Sequence, residues 1–390
     1  MPRPHRYTDD HVPGGHIFEI TRKVVAGTYL LRPDPALNAL VVGEYAHGLD
    51  HPRFRGRIRV HELVLQSNHL HLLCSAATQE VIEDFEEYVA SRLAKAVGRL
   101  RGWRGRVWDA RYSLSQVFPS KQRARQRYLH SQGVAENLYE SPSDNPCVSS
   151  YKAWSTGKLR LTGRWLDAAA MRDAGVDYGD PERAQFERDA FIQLHPMPID
   201  EGKTKARLVW QTRAQGKSII KEHAQRRAED GITTVLGAQA MLDASPFDRP
   251  RMTKKGRAAP LAFGTHDEIA GFEARHAAAG EQRRALMALL VRQPELRAYP
   301  EQAAMPSVLR AGIQRANEED LKAAVVLAKA GHFDEAAEKI AATPHRRPWP
   351  DLPPAPVIAR GAKPKRKPRP ARPKKRRPQP KPRPARRWRG

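Results

Sequence analysis

The chain has 390 residues and carries 68 Lys and Arg against 43 Asp and Glu, a formal net charge of +25 at pH 7. At roughly 100–200 residues per domain, this length predicts two or three domains. No run approaches the ~18 apolar residues of a membrane-spanning helix, and the first residues lack the apolar region of a secretory signal. Cys74 and Cys147 stand outside any C-x-x-C spacing, which excludes a disulfide framework and a zinc ribbon. We expect a soluble, cytoplasmic protein whose partner is an anionic polymer such as nucleic acid.

Strand patterns occur three times in the first 165 residues. Residues 16–24 form an apolar stripe, Ile58 to Cys74 predict a strand pair or one bent strand, and residues 107–118 predict a further strand. These segments alternate with helix patterns, so the expected fold is α+β, a sandwich of one antiparallel sheet with helices on one face. We place the end of this domain near residue 165 and its start at residue 12.

Three helices are predicted between the strands. The first covers residues 34–48. The second is capped by Thr78 and carries apolar residues at the 3–4 spacing of a buried face. The third begins near Pro119 and ends at Gly133, because glycine commonly terminates a helix.

The charge pattern divides the rest of the chain. Residues 166–343 are expected to be a mostly helical basic extension, with basic clusters at Lys203–Arg227 and Arg249–Arg257 and a helical hairpin broken at Gly331. Two interpretations stay open for it: recognition of a DNA hairpin or end, and dimerisation or packing. Residues 344–390 hold fourteen of the 32 prolines, and Arg360–Gly390 hold sixteen Lys and Arg with no acid. This composition predicts a disordered tail that neutralises phosphates without reading bases, with a merely solubilising tail as the alternative.

A pair of histidines is the first candidate for a functional site. In the segment SNHLHLLC, His69 and His71 are two residues apart on a predicted strand, so they project from the same face. Two imidazoles side by side can occupy adjacent positions on a divalent metal. The H-x-H pattern alone is common, and two half-exposed histidines at a sheet edge are the alternative.

A tyrosine helix is the second element. Tyr128 and Gln132 are four residues apart, which places them on one face of the predicted third helix. A tyrosine hydroxyl near a metal is a candidate nucleophile, and a glutamine carbonyl is a candidate third ligand. A tyrosine packed on the sheet and a glutamine facing water are the alternative.

A basic segment with aromatic residues is the third element. Residues 101–127 contain one acid, Asp109, among many cations, with tryptophans between them. Cations that follow a backbone and rings on which bases stack are typical of single-stranded nucleic-acid binding, with a solvated basic face as the alternative. The residues that we expect to contact nucleic acid are Arg101, Trp103, Arg104, Arg106, Trp108, Arg111, Arg123, Arg125 and Arg127.

Together these elements resemble a known family in their order and spacing. The succession NHLHLL, a long helix, VWDARYSLSQV, a tyrosine helix and GVAENLYESPSDNPCVSSYKAW is similar to the HUH single-tyrosine transposases, and within them to the REP-associated tyrosine transposases. The resemblance covers roughly residues 12–160. It implies a ferredoxin-like HUH nuclease fold for this part of the chain.

The resemblance also implies roles for individual residues. His69 and His71 would be the metal ligands, Gln132 the third ligand, and Tyr128 the nucleophile. The family usually has Asn-Pro-Val and a basic residue at the end of the tyrosine helix, whereas this chain reads Gln-Gly-Val-Ala at 132–135. The missing basic residue leaves that local DNA contact in question, while the glutamine still offers a carbonyl. Gln66–Ser67 replaces the family's Met-Pro before the ligands.

The implied activity is DNA transposition by cleavage and rejoining of single-stranded, hairpin-forming DNA through a 5′-phosphotyrosine. The implied cofactor is Mg²⁺ or Mn²⁺, of which Mn²⁺ suits imidazole ligands better. We expect no membrane partner and a cytoplasmic, nucleoid-associated location, and a homodimer is left open. The alternative is a non-catalytic DNA- or RNA-binding protein on the same fold. A replication-initiation or relaxase nuclease is less favoured, because a third histidine or a second nearby tyrosine is not evident.

Overall fold

The computed structural model describes residues 16–76, 79–250 and 260–278 of the chain. The described strands are β1 (His16–Lys23), β2 (Ile58–Gln66), β3 (His69–Ala76), β4 (Ser113–Val117), β5 (Arg160–Leu166), β6 (Glu187–Gln193) and β7 (Ala262–Phe263). Five of them form a sheet in the order β2-β3-β1-β4-β7. β2, β3, β1 and β4 are antiparallel, and β7 joins β4 in parallel, so the sheet is mixed where we predicted a purely antiparallel one.

The predicted strand pair is a hairpin of β2 and β3. A two-residue turn, Ser67–Asn68, connects them, and Gln66 pairs with His69. The register shifts between Val60 and Glu62, which places His61 in a β-bulge. Because β1 pairs with the other edge of β3, the predicted histidine strand lies inside the sheet.

The described helices include α1 (Pro35–Asp50), α2 (Gln79–Arg101), α3 (Gln122–Ser131), α4 (Ser150–Thr156), α5 (Ala168–Asp173), α6 (Lys205–Glu229) and α7 (Ala238–Asp243). The predicted helix at 34–48 is confirmed as α1, which Asp34 caps by accepting a hydrogen bond from the Leu37 amide. The predicted second helix is confirmed as α2, although its expected cap, Thr78, lies outside the described residues.

Helices pack on both faces of the sheet, so the prediction of helices on one face was wrong. The α1 and α2 helices join Leu70 and Leu72 of β3 in the main core. On the other face, Leu129 of α3 packs with Val64 and Leu73. The α6 helix then lies against α3 and α4. The layer of α3 and α6 could not be predicted from the sequence of α3, because this helix buries few apolar residues and is otherwise strongly polar.

The predicted strand at 107–118 is shorter in the structure. Only Ser113–Val117 forms β4, because residues before it leave the sheet and pack against the end of β1. The Val25 amide donates to the carbonyl of Val107, and the Trp108 indole donates to the carbonyl of Ala90. Together with a single antiparallel bridge between Val24 and Trp108, these contacts hold the segment against the end of β1.

A second small sheet, the hairpin of β5 and β6, lies on α1. A Cβ on Gly43 would stand 2.0 Å from the carbonyl oxygen of Arg164, and a Cβ on Gly163 would stand 2.4 Å from that of Ala39. Glycine at both positions therefore lets strand and helix touch through their backbones. The predicted domain division at residue 165 falls inside β5, and the division itself stays a prediction.

Strands β6 and β7 add β structure to residues 166–343, which we expected to be mostly helical. The predicted hairpin around Gly331 and the tail at 344–390 lie outside the described residues. None of the helices in the described parts of the chain has the length and hydropathy of a membrane-spanning segment.

Candidate functional site

Two histidines face α3 from the middle of the sheet. His71 pairs with Thr21 of β1 and His69 pairs with Lys23, so all four residues project from one face. The centres of the two imidazole rings are 5.1 Å apart. His71 is buried, and neither ring lies at an open edge of the sheet. The alternative of a half-exposed pair at a sheet edge is therefore not what the fold provides.

Hydrogen bonds fix the orientation of both rings. The Nδ1 atom of His69 is 2.7 Å from Oδ1 of Asn68. The Nδ1 atom of His71 is 2.9 Å from Oγ1 of Thr21 and 3.4 Å from Oε1 of Glu19. Oxygen acceptors at Nδ1 favour the tautomer that carries its proton there, which leaves the Nε2 lone pair for a ligand.

The imidazole of His69 is neutral at physiological pH. Burial, followed by the charge of His71, lowers its pKa to about 3, against the opposing effect of a hydrogen bond with the Gln132 side chain. Only a neutral imidazole can coordinate a metal ion, because protonation occupies the lone pair. The imidazole of His69 therefore stays neutral, and able to bind a metal ion, well below pH 7.

The predicted nucleophile lies against the histidine pair. The ring of Tyr128 meets that of His71 edge to face, with centres 6.0 Å apart. Tyr128 is 41% exposed, unlike most large side chains of this domain, so a substrate can reach it. The structure brings Tyr128, His69, His71 and Gln132 to one place.

One detail of the predicted tyrosine helix was wrong. The α3 helix ends at Ser131, and Gln132 already has extended backbone angles, so Tyr128 and Gln132 do not share a helical face. The turn after the helix carries Gln132 to His69 instead. The prediction that Gly133 closes the helix is confirmed, since its φ is +80°.

Gly133 and Tyr139 hold the end of α3 in place. A Cβ on Gly133 would stand 2.1 Å from the Tyr139 hydroxyl, so no other residue fits this turn. That hydroxyl donates to the backbone carbonyl of Gln132 at 2.5 Å and accepts from Nε2 of Gln66 at 3.3 Å. The candidate third ligand is thereby tied to β2, next to the histidine strand.

Glu19 of β1 is a site residue that the sequence analysis missed. Its carboxylate accepts two hydrogen bonds from Arg125, at 2.5 and 2.6 Å, and also lies beside His71. The Arg125 guanidinium in turn lies 4.0 Å from the centre of the Tyr128 ring. Burial acts to raise the pKa of Glu19, but the hydrogen bonds and charges of His71 and Arg125 hold it below the usual value. The only signal in the sequence was an acid inside the apolar stripe HIFEITRK.

A buried polar cluster anchors the underside of α3. The Glu62 carboxylate accepts from Gln126 at 2.7 Å, contacts Nε2 of His130 at 3.0 Å, and accepts a short hydrogen bond from Ser150. Nδ1 of His130 lies 2.7 Å from Oε1 of Gln215 on α6. This cluster joins the tyrosine helix to β2, α4 and α6.

A second carboxylate missed in the sequence, Glu136, lies near the pair. It accepts a short hydrogen bond from the Gly133 amide. Burial raises the pKa of its carboxyl, against the opposing influence of that hydrogen bond and of the charge of His71.

The predicted nucleic-acid residues separate into two groups. Most have partners within the fold: Arg101 pairs with Asp34, Arg123 with Asp200, Arg125 with Glu19, Arg127 with Glu222 and Arg111 with Glu83, Trp108 packs on Arg22, and Trp103 stacks with Phe247. Arg104 and Arg106 are exposed and have no carboxylate partner among the described residues. The structure thus leaves two of the nine residues as free surface cations, and their DNA contact stays a prediction.

The donor set fits a divalent metal. His69 and His71 present Nε2 lone pairs, and the Gln132 amide, which hydrogen-bonds His69, can rotate to present its oxygen. Metal-bound histidines usually have a carboxylate or amide oxygen at the ring nitrogen that does not bind the metal, as both rings have here at Nδ1. The described residues contain no group of three or more His, Cys, Asp or Glu arranged for a metal, so the set depends on the glutamine.

No protein-family model matches the chain, and no curated protein matches it. A solved structure of a REP-associated tyrosine transposase bound to a REP hairpin is similar over 41% of this chain and 88% of its own, with 15% identity and a TM-score of 0.31. A TM-score of this size does not establish a common fold, so the chemistry of the site has to be derived from the residues that it brings together.

Proposed function

We propose that the chain is a metal-dependent enzyme that cleaves and rejoins single-stranded DNA through Tyr128. One observation carries the proposal: an exposed tyrosine lies edge-on to a buried histidine whose neighbour ring is held neutral. A tyrosine that only packed on the sheet would not need its ring at such a pair. The motif order of the sequence supports the same activity.

The residues that would hold the ion are His69, His71 and Gln132. Two imidazoles and one amide oxygen favour Mn²⁺ over the harder Mg²⁺. When bound, a divalent cation polarises a non-bridging phosphate oxygen and offsets the charge that develops during attack.

Tyr128 performs the two exchange steps. Its hydroxyl oxygen attacks the phosphorus in line, a P–O bond to Tyr128 forms, and the bond to the 3′ oxygen breaks. The strand ends are then a 5′-phosphotyrosine and a 3′-hydroxyl, whose oxygen has taken up a proton. Because Tyr128 is 41% exposed, its own proton can leave to water. Rejoining is the reverse: a 3′-hydroxyl attacks the phosphorus and releases the tyrosine.

Glu19 and Arg125 would position the reacting groups. Glu19 holds the ring of His71, and Arg125 bridges Glu19 to the face of Tyr128. Metal ligand and nucleophile are therefore connected through two side chains. Arg104 and Arg106, and the basic tail, would supply contacts to the phosphate backbone. Hairpin DNA as substrate and a homodimeric assembly belong to the same proposal.

A covalent adduct is the test. The full chain is incubated with single-stranded DNA from the flanks of its own gene and Mn²⁺, then resolved by denaturing electrophoresis. We expect a protein–DNA adduct that requires metal and is lost in Tyr128→Phe and His71→Ala but not in the control Tyr29→Phe, which changes a half-buried tyrosine outside the histidine site. If all proteins bind the DNA tightly without metal and none forms an adduct, the chain is a non-catalytic nucleic-acid binder.

A further inference from the structure

A groove of about 700 Å³ lies on the face of the sheet opposite the histidines. Its walls are α1, α2 and the segment from β5 to α5. The α1 and α2 helices cover the face to which Leu70 and Leu72 point, whereas His69 and His71 face α3. The groove is thus separated from the tyrosine site by the whole sheet.

Three cations that line the groove have no carboxylate partner among the described residues. They are Lys95 and Arg99 of α2 and Arg172 of α5, and all three are exposed. The carboxylates of the groove are already engaged, for example Glu44, which accepts from Arg92 at 2.8 Å. The groove therefore keeps an uncompensated positive charge, which favours an anionic ligand.

Aromatic rings provide the uncharged part of the lining. The imidazole of His47 stacks on Trp165 with ring centres 3.7 Å apart, and Tyr178 lies 5.6 Å from the guanidinium of Arg99. Burial and the charge of Arg92 lower the pKa of His47 to about 4, so this imidazole adds no charge at neutral pH. Flat rings beside cations that have no carboxylate partner suit a ligand that combines an aromatic base with phosphate.

The groove is also held in a fixed shape. The backbone contact of α1 with β5 through Gly43 and Gly163 leaves no space between these two walls. A preformed site loses less conformational entropy on binding than one that must first close.

We propose that this groove binds a nucleotide, with its phosphate at Lys95, Arg99 and Arg172 and its base against Trp165 and Tyr178. The nucleotide is either free or an unpaired residue of a nucleic-acid strand. The site does not depend on the metal or on Tyr128, so it stands or falls separately from the proposed cleavage activity.

Photocrosslinking tests the proposal in the full chain. The protein carries Tyr128→Phe, so that strand cleavage plays no part. It is irradiated with 5-iodo-dUMP or with a single-stranded oligonucleotide that contains one 5-iodouridine, and the adducts are mapped by peptide mass spectrometry. We expect adducts on Trp165 or Tyr178. Adducts confined to other parts of the chain would overturn the proposal.

Two charge-matched variants complete the test. The groove variant replaces Lys95, Arg99 and Arg172 with alanine, and the control replaces three exposed lysines, Lys158, Lys217 and Lys221. Adduct yield at Trp165 or Tyr178 should fall roughly tenfold or more in the groove variant and stay within about twofold in the control. Equal yields would refute phosphate binding by the groove cations, provided that both variants melt at the same temperature.

The two probes distinguish the source of the nucleotide. Equal crosslinking of 5-iodo-dUMP and the oligonucleotide at one concentration indicates a site for free nucleotides. Crosslinking of the oligonucleotide alone indicates a site for an unpaired residue of a strand. Crosslinking of neither probe in the groove contradicts the proposal.

Discussion

Replacing Glu19 with glutamine tests whether the carboxylate behind His71 supports metal binding. The substitution preserves the size of the side chain but removes the charge that faces Nδ1 of His71 and the guanidinium of Arg125. Loss of such an outer partner weakens metal binding by about 10–100-fold. We therefore expect a fall of this size in Mn²⁺ affinity, measured by isothermal titration calorimetry.

The same substitution has a calculable effect on stability. Removing one partner of a buried ion pair costs about 3–5 kcal/mol, and since glutamine still offers one oxygen to the partly exposed Arg125, we expect about 2 kcal/mol. Urea denaturation of the metal-free protein measures this change. The matched control is Glu222→Gln on α6, which breaks the exposed pair with Arg127, a residue of α3 like Arg125. It should leave Mn²⁺ affinity unchanged and cost less than about 1 kcal/mol. A Glu19→Gln protein that binds Mn²⁺ as tightly as the wild type would refute the supporting role.

Three further predictions concern the helix end, acid stability and the tail. Gly133→Ala should destabilise the fold by roughly 2–4 kcal/mol in urea denaturation, because it combines a strained φ of +80° with a clash at Tyr139. The control Gly56→Ala has a similar φ of +74° but open space around the new Cβ, so it should show the cost of the backbone strain alone. Burial lowers the pKa of His61 to about 4 from 6.5, so the unfolded state takes up a proton first as the pH falls. The free energy of unfolding should therefore drop by up to about 1.4 kcal/mol per pH unit between pH 6.5 and 4. His61→Gln should lose this contribution to the pH dependence of stability. An identical pH dependence in both proteins would contradict the prediction. Removing residues 344–390 should weaken DNA binding and flatten its salt dependence, and an unchanged salt slope would argue for a purely solubilising tail.

Local patterns were sufficient to predict most of the central elements. The β2–β3 hairpin and the α1 and α2 helices follow from alternation, caps and spacing, all of which act within a few residues. The positions of His69, His71 and Tyr128 followed from the same patterns combined with a family resemblance. What brings them together is the packing of α3 on the sheet, to which Leu129 contributes one of few apolar contacts.

The partners of charged side chains could not be predicted from local patterns. Arg101 and Arg125 belong to a basic run in the sequence, yet one pairs with Asp34 and the other with Glu19, 67 and 106 residues away along the chain. Such long-range pairs remove cations from the surface, so a charge count overstates the area available to DNA. The groove beside Trp165 could not be predicted from local patterns either, because its walls come from α1, α2 and β5, which are far apart in the sequence.

The chemical identity of the bond between protein and DNA distinguishes tyrosine-mediated cleavage from every other way of forming an adduct. The adduct formed with Mn²⁺ is trimmed with nuclease and the modified peptide is sequenced by mass spectrometry. We expect a nucleotide joined through its 5′ phosphate to Tyr128, with a free 3′-hydroxyl on the released strand. A bond to another residue, or the opposite polarity at the break, would contradict this expectation.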